Sequence, residues 1–260
     1  MIVLDADGVR AVIDPAAGGR LASLRVAGSE LLVTDVTGPM SWGSFPMAPW
    51  AGRVRRGTFS FAGVAHHLEP TLPPHAAHGT THLRPWRVTG QGRIETELGS
   101  GWPFPGHAVQ VAELHADHLV LVLEVHADEG PMPASCGWHP WFRRRLDRGG
   151  AVELDLRPGR MYRRDAEGIP TGELVAASAP PWDDCFVELD APPRLRWPGA
   201  LELEIRSTAS HWVVYTEPDH ALCVEPQTGP PDALNLAPTV VEPGRPLVAT
   251  MVLAWWPATT

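Results

Sequence analysis

Apolar and polar residues alternate along most of the chain, in short runs separated by glycine, proline and acidic residues. The clearest case is a pair of long alternating runs, residues 107–114 and 118–125, which flank a turn at 116–117 and predict a hairpin. Shorter runs with strand-like patterns occur at residues 21–26, 30–34, 58–61, 152–156, 201–206, 211–216 and 247–255. No window of 12 residues shows helical spacing free of proline and glycine. The pattern therefore predicts an all-β protein with antiparallel sheets stacked face to face, a large β-sandwich.

Composition agrees with this prediction and adds a domain count. The 28 prolines and 25 glycines among 260 residues suit a chain of strands and loops. They are spread evenly, without a linker, repeat or low-complexity segment, so residues 1–260 are predicted to form a single domain. Three cysteines without a Cys-x-x-Cys pair favour a reducing compartment, and the acidic N-terminus is unlike a signal peptide. We therefore predict a cytoplasmic location.

Charge and residue usage exclude several partners and chemistries. The net charge of −9 argues against a nucleic-acid partner, and the one dense basic run, residues 143–145, is more typical of a solvated loop. No run of 18 apolar residues predicts a membrane span. The sequence contains no lysine, which excludes Schiff-base, pyridoxal-phosphate and P-loop chemistry. Nucleic acids and membranes are therefore not expected partners.

Four loop-like segments carry polar residues that strand packing does not require: residues 42–82, 136–142, 181–186 and 222–235. Glu225 follows an apolar strand and precedes Pro226, so partial burial should raise the pKa of its carboxyl toward that of a general base. The alternative is a carboxylate paired with an arginine at the rim of a sheet. His139 lies between aromatic residues, where it is either a packed core residue or a fixed proton donor with a pKa near 6–7.

The other histidines and the tryptophans allow further interpretations. His75, His78 and His82 could bind zinc or nickel, but no carboxylate at a matching spacing accompanies them, so no metal site is predicted. Histidines within the long hairpin are expected at the surface or paired across strands. Five tryptophans lie in or beside the loop-like segments and could stack on a sugar ring or fill a core: Trp42, Trp50, Trp138, Trp141 and Trp182.

Taken together, these segments resemble the aldose 1-epimerase (galactose mutarotase-like) family. The matching stretches occur in the family's order across residues 40–236: Phe-Pro-Met-Ala-Pro-Trp-Ala-Gly-Arg53, Pro-Pro-His-Ala-Ala-His78-Gly, Gly-Trp-His139-Pro-Trp-Phe, Trp-Asp183-Asp-Cys-Phe and Val-Glu225-Pro-Gln-Thr-Gly-Pro-Pro-Asp-Ala. The resemblance implies a galactose mutarotase-like supersandwich and an isomerase without a cofactor.

The resemblance also implies roles for single residues. Glu225 corresponds to the family's general base and His139 to its general acid. The residues expected to bind the sugar are Arg53, His78, Asp183 and Trp141. Two positions depart from the family pattern, because Gly52 stands where an asparagine usually precedes the arginine, and Trp141 stands where tyrosine is common. The second carboxylate, Asp184, is an alternative to Asp183.

The implied reaction is interconversion of the α and β anomers of a hexose by ring opening and closure, with a bell-shaped dependence on pH. Four alternatives remain open, and one of them is a metal-dependent cupin-like enzyme, which stoichiometric bound metal would support. A glycoside hydrolase would use Asp183 and Glu225 as its carboxylate pair. A non-catalytic carbohydrate-binding or sensing homologue would need only the tryptophans and Arg53. A sugar-phosphate mutarotase would bind phosphate with Arg53, Arg55 and Arg56.

Overall fold

A computed structural model describes residues 1–34 and 38–258, and this part of the chain consists of β-strands joined by turns, with one short α-helix. The strands of the first half are β1 (Ile2–Ala6), β2 (Val9–Asp14), β3 (Arg20–Val26), β4 (Ser29–Glu30), β5 (Ser44–Met47), β6 (Arg53–Val54), β7 (Thr58–Phe61), β8 (Val64–His67), β9 (Ala76–Ala77), β10 (Arg87–Gly90), β11 (Arg93–Glu97), β12 (Gly106–Leu114) and β13 (His118–Ala127). The second half contains β14 (Met132–Ala134), β15 (Gly137–Arg143), β16 (Glu153–Asp155), β17 (Arg160–Arg164), β18 (Pro170–Ala176), β19 (Asp183–Val187), β20 (Arg194–Trp197), β21 (Leu201–Ser207), β22 (His211–Tyr215), β23 (Ala221–Gln227), helix α1 (Ala233–Leu236), β24 (Thr239–Val241) and β25 (Leu247–Pro257).

Two large antiparallel sheets dominate the architecture. The first has 11 strands in the order β1-β2-β3-β5-β15-β23-β22-β19-β17-β18, with β4 on β3. The second has eight strands in the order β10-β11-β12-β13-β25-β21-β20-β16. Residues from both sheets share one hydrophobic core, and the Trp138 indole N–H of β15 donates to Gln110 Oε1 of β12 at 3.0 Å. The prediction of an all-β fold with large antiparallel sheets is confirmed.

Alternation predicted the long strands of the eight-stranded sheet, because one face of these strands is buried and the other is not. In β13 every second residue is buried, and the hairpin with β12 pairs Leu114 with Leu119. The predicted cross-strand histidines are also present. His107 and His126 are register partners, and their rings stack 4.5 Å apart.

The loop-like interpretation is wrong for residues 137–142 and for parts of the segments 181–186 and 222–235. Residues 137–143, 183–187 and 221–227 are strands β15, β19 and β23 of the 11-stranded sheet. Strand β23 is buried on both faces, and β15 is buried except at its last residue, so neither shows alternation. Pro140 and Pro226 lie within these strands, although proline is usually confined to edge strands, strand starts and bulges. Glu225 therefore lies inside a strand and not after its end.

The outer face of these central strands carries a second, smaller hydrophobic cluster. Its buried members are Val33, Trp42, Phe45, Met47, Ala51, Trp141, Ala221 and Cys223. Segments before β15 in the sequence supply the first five residues and cover part of this face. Among the described residues, no helix has the length and apolar character needed to cross a membrane.

Candidate active site

Sheet register places the two candidate catalytic side chains on the same outer face. Gly137 pairs with Gln227 and Trp141 pairs with Cys223, so His139 lies opposite Glu225 on the adjacent strand. Side chains two residues apart share a face of a strand, whereas Trp138 and Phe142 point into the core between the sheets. This face therefore presents a row of chemically active side chains above an apolar core.

A cavity of about 400 Å³ opens on this face, within the range of small-molecule sites. All six predicted site residues line it: Arg53, His78, His139, Trp141, Asp183 and Glu225. Further lining residues include Asp184, Arg164, Tyr215, Glu217 and Gln227. The structure thus brings together residues from five segments that are distant in sequence.

His139 and Glu225 form the centre of the cavity floor. His139 Nε2 lies 3.2 Å from Glu225 Oε1, and the two residues are only 6% and 2% exposed. The Gln227 side-chain amide donates to the other carboxylate oxygen, Oε2, at 3.1 Å. Glu225 therefore accepts a hydrogen bond from Gln227 on one oxygen and lies within ion-pair distance of His139 on the other.

Burial determines the protonation of this pair. Burial, reinforced by the negative charge of Asp183, raises the pKa of Glu225 well above its usual value, as expected from the sequence. Burial, reinforced by His82, also lowers the pKa of His139 to about 3, so the expected value near 6–7 is wrong. Both shifts favour the neutral form of each group, a carboxyl for Glu225 and an imidazole for His139.

His78 reaches the cavity from a tight turn. Its backbone has φ = 62°, and the following Gly79 has φ = 75° with a Cβ position only 2.0 Å from Ala48 O. Only glycine fits there, which explains the His-Gly pair. His78 Nδ1 donates to Met47 Sδ at 2.9 Å, because a thioether can only accept, and this leaves Nε2 as an acceptor for a ligand.

The three histidines considered for metal binding do not converge. His75 Nδ1 accepts the Arg56 amide N–H at 3.1 Å and does not line the cavity. His82 Nδ1 donates to His78 O at 3.0 Å, and the rings of His78, His82 and His139 surround Phe45. Among the described residues, the one group with suitable ligand spacing is instead His139, Cys223 and Glu225.

Arginines and aspartates form the polar side of the cavity. Arg53 Nη2 donates to Asp183 Oδ2 at 3.1 Å, and Arg164 contacts both Asp183 at 3.4 Å and Asp184 at 2.8 Å. Both aspartates line the cavity, and Asp184 is the more buried. The sequence interpretation missed Arg164. It lies on β17, whose position beside β19 is a property of the sheet order and has no local signal.

The replacement of asparagine by Gly52 has a structural reason. Gly52 has φ = 66°, and a Cβ there would lie 2.9 Å from the Pro231 ring. Pro231 also lines the cavity. A side chain at position 52 is therefore excluded by the segment that follows β23.

The proposed phosphate-binding arginines are not available as a group. Arg55 pairs with Asp165 at 2.6 Å and Glu167 at 3.2 Å, and Arg56 also pairs with Glu167. Both arginines line a separate groove. The geometry therefore does not favour a phosphate site built from Arg53, Arg55 and Arg56.

The tryptophans divide between core and cavity. Trp138 and Trp50 belong to the core between the sheets, and Trp42 to the smaller cluster. Of the five tryptophans considered, only Trp141 lines the cavity, where its ring stacks on His139 at 5.2 Å. A general role of these tryptophans in sugar stacking is therefore not supported.

Comparisons with known proteins agree with this fold. Solved structures of the same fold include a candidate aldose 1-epimerase from Escherichia coli K12 (TM-score 0.86, 18% identity, 99% of this chain and 99% of that chain). A galactose mutarotase-like protein from Clostridium acetobutylicum (TM-score 0.85, 14%, 98% and 95%) and a galactose 1-epimerase from Lactobacillus acidophilus NCFM (TM-score 0.81, 15%, 99% and 94%) are also similar. A search of curated protein sequences gave no match.

The aldose 1-epimerase family model matches residues 1–193. The match contains five of the six predicted site residues and ends before Glu225, which the sheet register brings to the same cavity. Because the match covers most of the sequence, the chain belongs to the aldose 1-epimerase family.

Proposed function

We propose that this protein catalyses mutarotation of a hexose, with Glu225 as the general base and His139 as the general acid. Family membership supports the general role, an isomerase acting on a small sugar. The assignment of Glu225 as base and His139 as acid rests on the buried 3.2 Å contact between His139 Nε2 and Glu225 Oε1 in the cavity. The two oxygens that exchange protons in a hemiacetal are bonded to the same carbon, so their acid and base must be close neighbours.

The proposed reaction begins with Glu225 ionised and His139 protonated. Glu225 accepts the proton of the anomeric hydroxyl while His139 donates one to the ring oxygen, and the bond between that oxygen and C1 breaks. An open-chain aldehyde forms, the C1–C2 bond rotates, and the same transfers in reverse close the ring on the other face. No proton is gained or lost overall, and each transfer contributes about 10²–10⁴ in rate.

Desolvation assists the opening step. The starting state holds a carboxylate and an imidazolium in a buried site, whereas the open-chain state holds a carboxyl and a neutral imidazole. Burial raises the pKa of Glu225 and lowers that of His139, so both shifts favour proton transfer in the direction of opening. The net result of opening is the transfer of one proton from His139 to Glu225 through the two oxygens bonded to C1 of the sugar.

The remaining cavity residues suit a polyhydroxylated ligand. Arg53 and Asp183 offer donors and acceptors at one side, and His78 Nε2 offers an acceptor at the other. Trp141, stacked on His139, presents an aromatic surface beside the reacting groups. Holding the hydroxyls in place keeps the open chain aligned for closure.

The test is the anomerisation rate of freshly dissolved α-D-glucose and α-D-galactose, followed by polarimetry and by NMR saturation transfer. The wild-type protein is expected to accelerate at least one sugar. Glu225→Gln and His139→Asn should each lower kcat by about 100-fold or more. Glu204→Gln is the matched control, because Glu204 is as buried as Glu225 but lies on the eight-stranded sheet and away from the cavity lining.

Three results would contradict the proposal. Full activity in either variant would exclude that residue as a proton-transfer group. Sugar binding without acceleration would indicate a non-catalytic carbohydrate-binding homologue. Acceleration of glucose 6-phosphate alone would indicate a sugar-phosphate mutarotase, with a phosphate site other than the arginines considered above.

A further inference from the structure

We infer that the proposed acid–base pair is also an inhibitory binding site for a thiophilic divalent cation such as Zn²⁺, with Cys223 as the third ligand. One nitrogen of His139, the thiol sulfur of Cys223 and one carboxylate oxygen of Glu225 lie within 4.8 Å of one another. All three residues are buried. The inhibitory part of the inference rests on the mutarotase function proposed above, whereas the binding part does not.

The geometry is close to that of a zinc site. Three atoms no more than 4.8 Å apart have a common point within about 2.8 Å of each (4.8 Å divided by √3). Zinc binds sulfur at about 2.3 Å and nitrogen or oxygen at about 2.0–2.2 Å, so each ligand would move inward by roughly 0.5–0.8 Å. Three protein ligands leave a fourth tetrahedral position for water or a sugar hydroxyl.

The ligand set is also electrically suitable. A thiolate and a carboxylate neutralise a dication, and a neutral imidazole adds no charge, so the buried complex would have no net charge. Binding would release the thiol proton and the proton shared by His139 and Glu225 into solvent. A thiolate ligand selects zinc, cobalt or cadmium over magnesium and calcium, which prefer oxygen.

Access and support come from the surrounding residues. His139 and Glu225 line the cavity, and Cys223 is the register partner of Trp141 and Tyr215, which also line it. Apart from Glu225, the cavity wall contains three carboxyl groups and two guanidinium groups, and this excess of carboxylates favours the entry of a cation. The Gln227 amide donates to the second oxygen of Glu225 and would orient it as a ligand.

Occupation of this site would remove both proton-transfer groups at once. The cation would take the electron pairs of His139 and Glu225 that the proposed reaction needs. Metal binding is thus expected to compete with turnover and to be reversed by a chelator.

Direct binding is tested first, on chelator-treated protein titrated with Co²⁺ and then with Zn²⁺. We expect one cobalt ion per chain, a near-ultraviolet thiolate-to-cobalt charge-transfer band, and loss of this band when Zn²⁺ displaces it. Cys223→Ser and Cys223→Ala should abolish the band and weaken Zn²⁺ binding by 100-fold or more. Loss of a residue that only hydrogen-bonds to a metal ligand costs less, roughly 10–100-fold in affinity. Cys185→Ser is the matched control, because Cys185 is a buried cysteine that lines the same cavity outside the ligand group.

Inhibition is tested second, as the anomerisation rate with Zn²⁺ relative to the metal-free rate of the same variant. Inhibition of the wild type that is relieved by chelator, and is at least tenfold weaker in Cys223→Ala, supports the inference. Absence of the charge-transfer band, or a band that persists in Cys223→Ser, overturns the site. Stoichiometric binding through Cys223 without inhibition of an active enzyme overturns the inhibitory role. Binding through Cys223 in a protein without anomerase activity supports the site and contradicts the proposed function instead.

Discussion

At the scale of single residues, the proposed reaction depends on a single proton on the pair formed by His139 and Glu225. Burial shifts the pKa of each group toward its neutral form, so a second proton is hard to add and the shared proton is hard to remove. The apparent pKa values of a rate profile then belong to the pair and not to either residue. The catalysed rate should therefore depend on pH differently from the rate of an enzyme whose general acid is an exposed histidine.

The first prediction concerns the acid limb of that profile. Activity requires one proton on the pair, and it is lost when the pair binds a second. Because burial lowers the pKa of His139 to about 3, kcat/KM should stay flat as the pH falls through 6.5 and down to about 5. The measurement is the catalysed anomerisation rate at each pH after subtraction of the spontaneous rate. An acid limb between pH 6 and 7 would contradict this protonation scheme.

The second prediction concerns Gln227, which the sequence interpretation did not select. Its Nε2 donates to Glu225 Oε2 at 3.1 Å, and its Oε1 is buried without a hydrogen-bond partner among the described residues. Removing the donor in Gln227→Leu should raise the pKa of Glu225 further and lower kcat by about 10–100-fold, the value of a hydrogen bond to a charged group. Steady-state anomerisation kinetics measure this. A change in KM alone would mean that Gln227 contacts only the sugar.

At the scale of elements, the segment after β23 connects the base to Arg53. The Asp232 amide donates to Arg53 O at 2.6 Å, and Asp232 Oδ1 accepts the Arg55 amide at 2.9 Å and the Asn235 side chain at 2.8 Å. These bonds fix the short strand β6, at the start of which Arg53 projects into the cavity. Asp232 is therefore a positioning residue for Arg53.

The third prediction tests this connection by a double-mutant cycle. Asp232 has φ = 66°, which glycine adopts without strain, so Asp232→Gly removes the side chain at little backbone cost. The variant should raise KM by about 3–10-fold, with a smaller change in kcat, because one or two hydrogen bonds no longer order Arg53. In the Arg53→Ala background the same change should have no further effect. Asp232→Asn, which keeps an acceptor, should remain close to wild type. Equal losses in both backgrounds would indicate a purely structural role.

Particular elements show what the sequence could predict. The hairpin of β12 and β13 and strand β25 were predictable, since one buried face imposes a local period of two. Strands β15 and β23 were not, because neighbouring segments cover both of their faces. The motifs selected six residues that line one cavity, but the approach of Pro231 to Gly52 and the position of Arg164 beside Asp184 depend on tertiary structure. The pKa predicted for His139 was too high because it also depends on tertiary structure. The segments that bury His139, and the nearby His82, lie elsewhere in the sequence.

At the scale of the whole molecule, the site affects the dependence of stability on pH. His82 is buried beside Phe45, its Nδ1 donates to His78 O, and its Nε2 has no hydrogen-bond partner among the described residues. Protonation of Nε2 would place a charged donor there without an acceptor. Burial accordingly lowers the pKa of His82 to about 4. In the unfolded chain the same side chain has its ordinary pKa of about 6.5.

The last prediction follows from this difference. Between pH 6.5 and 4 the unfolded chain holds a proton on His82 that the folded chain does not, so this contribution to stability is full above pH 6.5 and is lost as the pH falls. In His82→Asn, whose amide N–H can replace Nδ1–H toward His78 O, the slope of unfolding free energy against pH should decrease by about 1.4 kcal/mol per pH unit near pH 5. Urea unfolding at half-unit pH intervals measures both slopes. His78 and His139 contribute with the same sign, and Glu225, whose pKa is raised, contributes with the opposite sign. Because His82 helps to lower the pKa values of His78 and His139, its removal reduces their contributions too, in the same direction as the predicted change. Parallel curves for the two proteins would mean that His82 is protonated in the folded state, and the neutral histidine cluster around Phe45 would then be wrong.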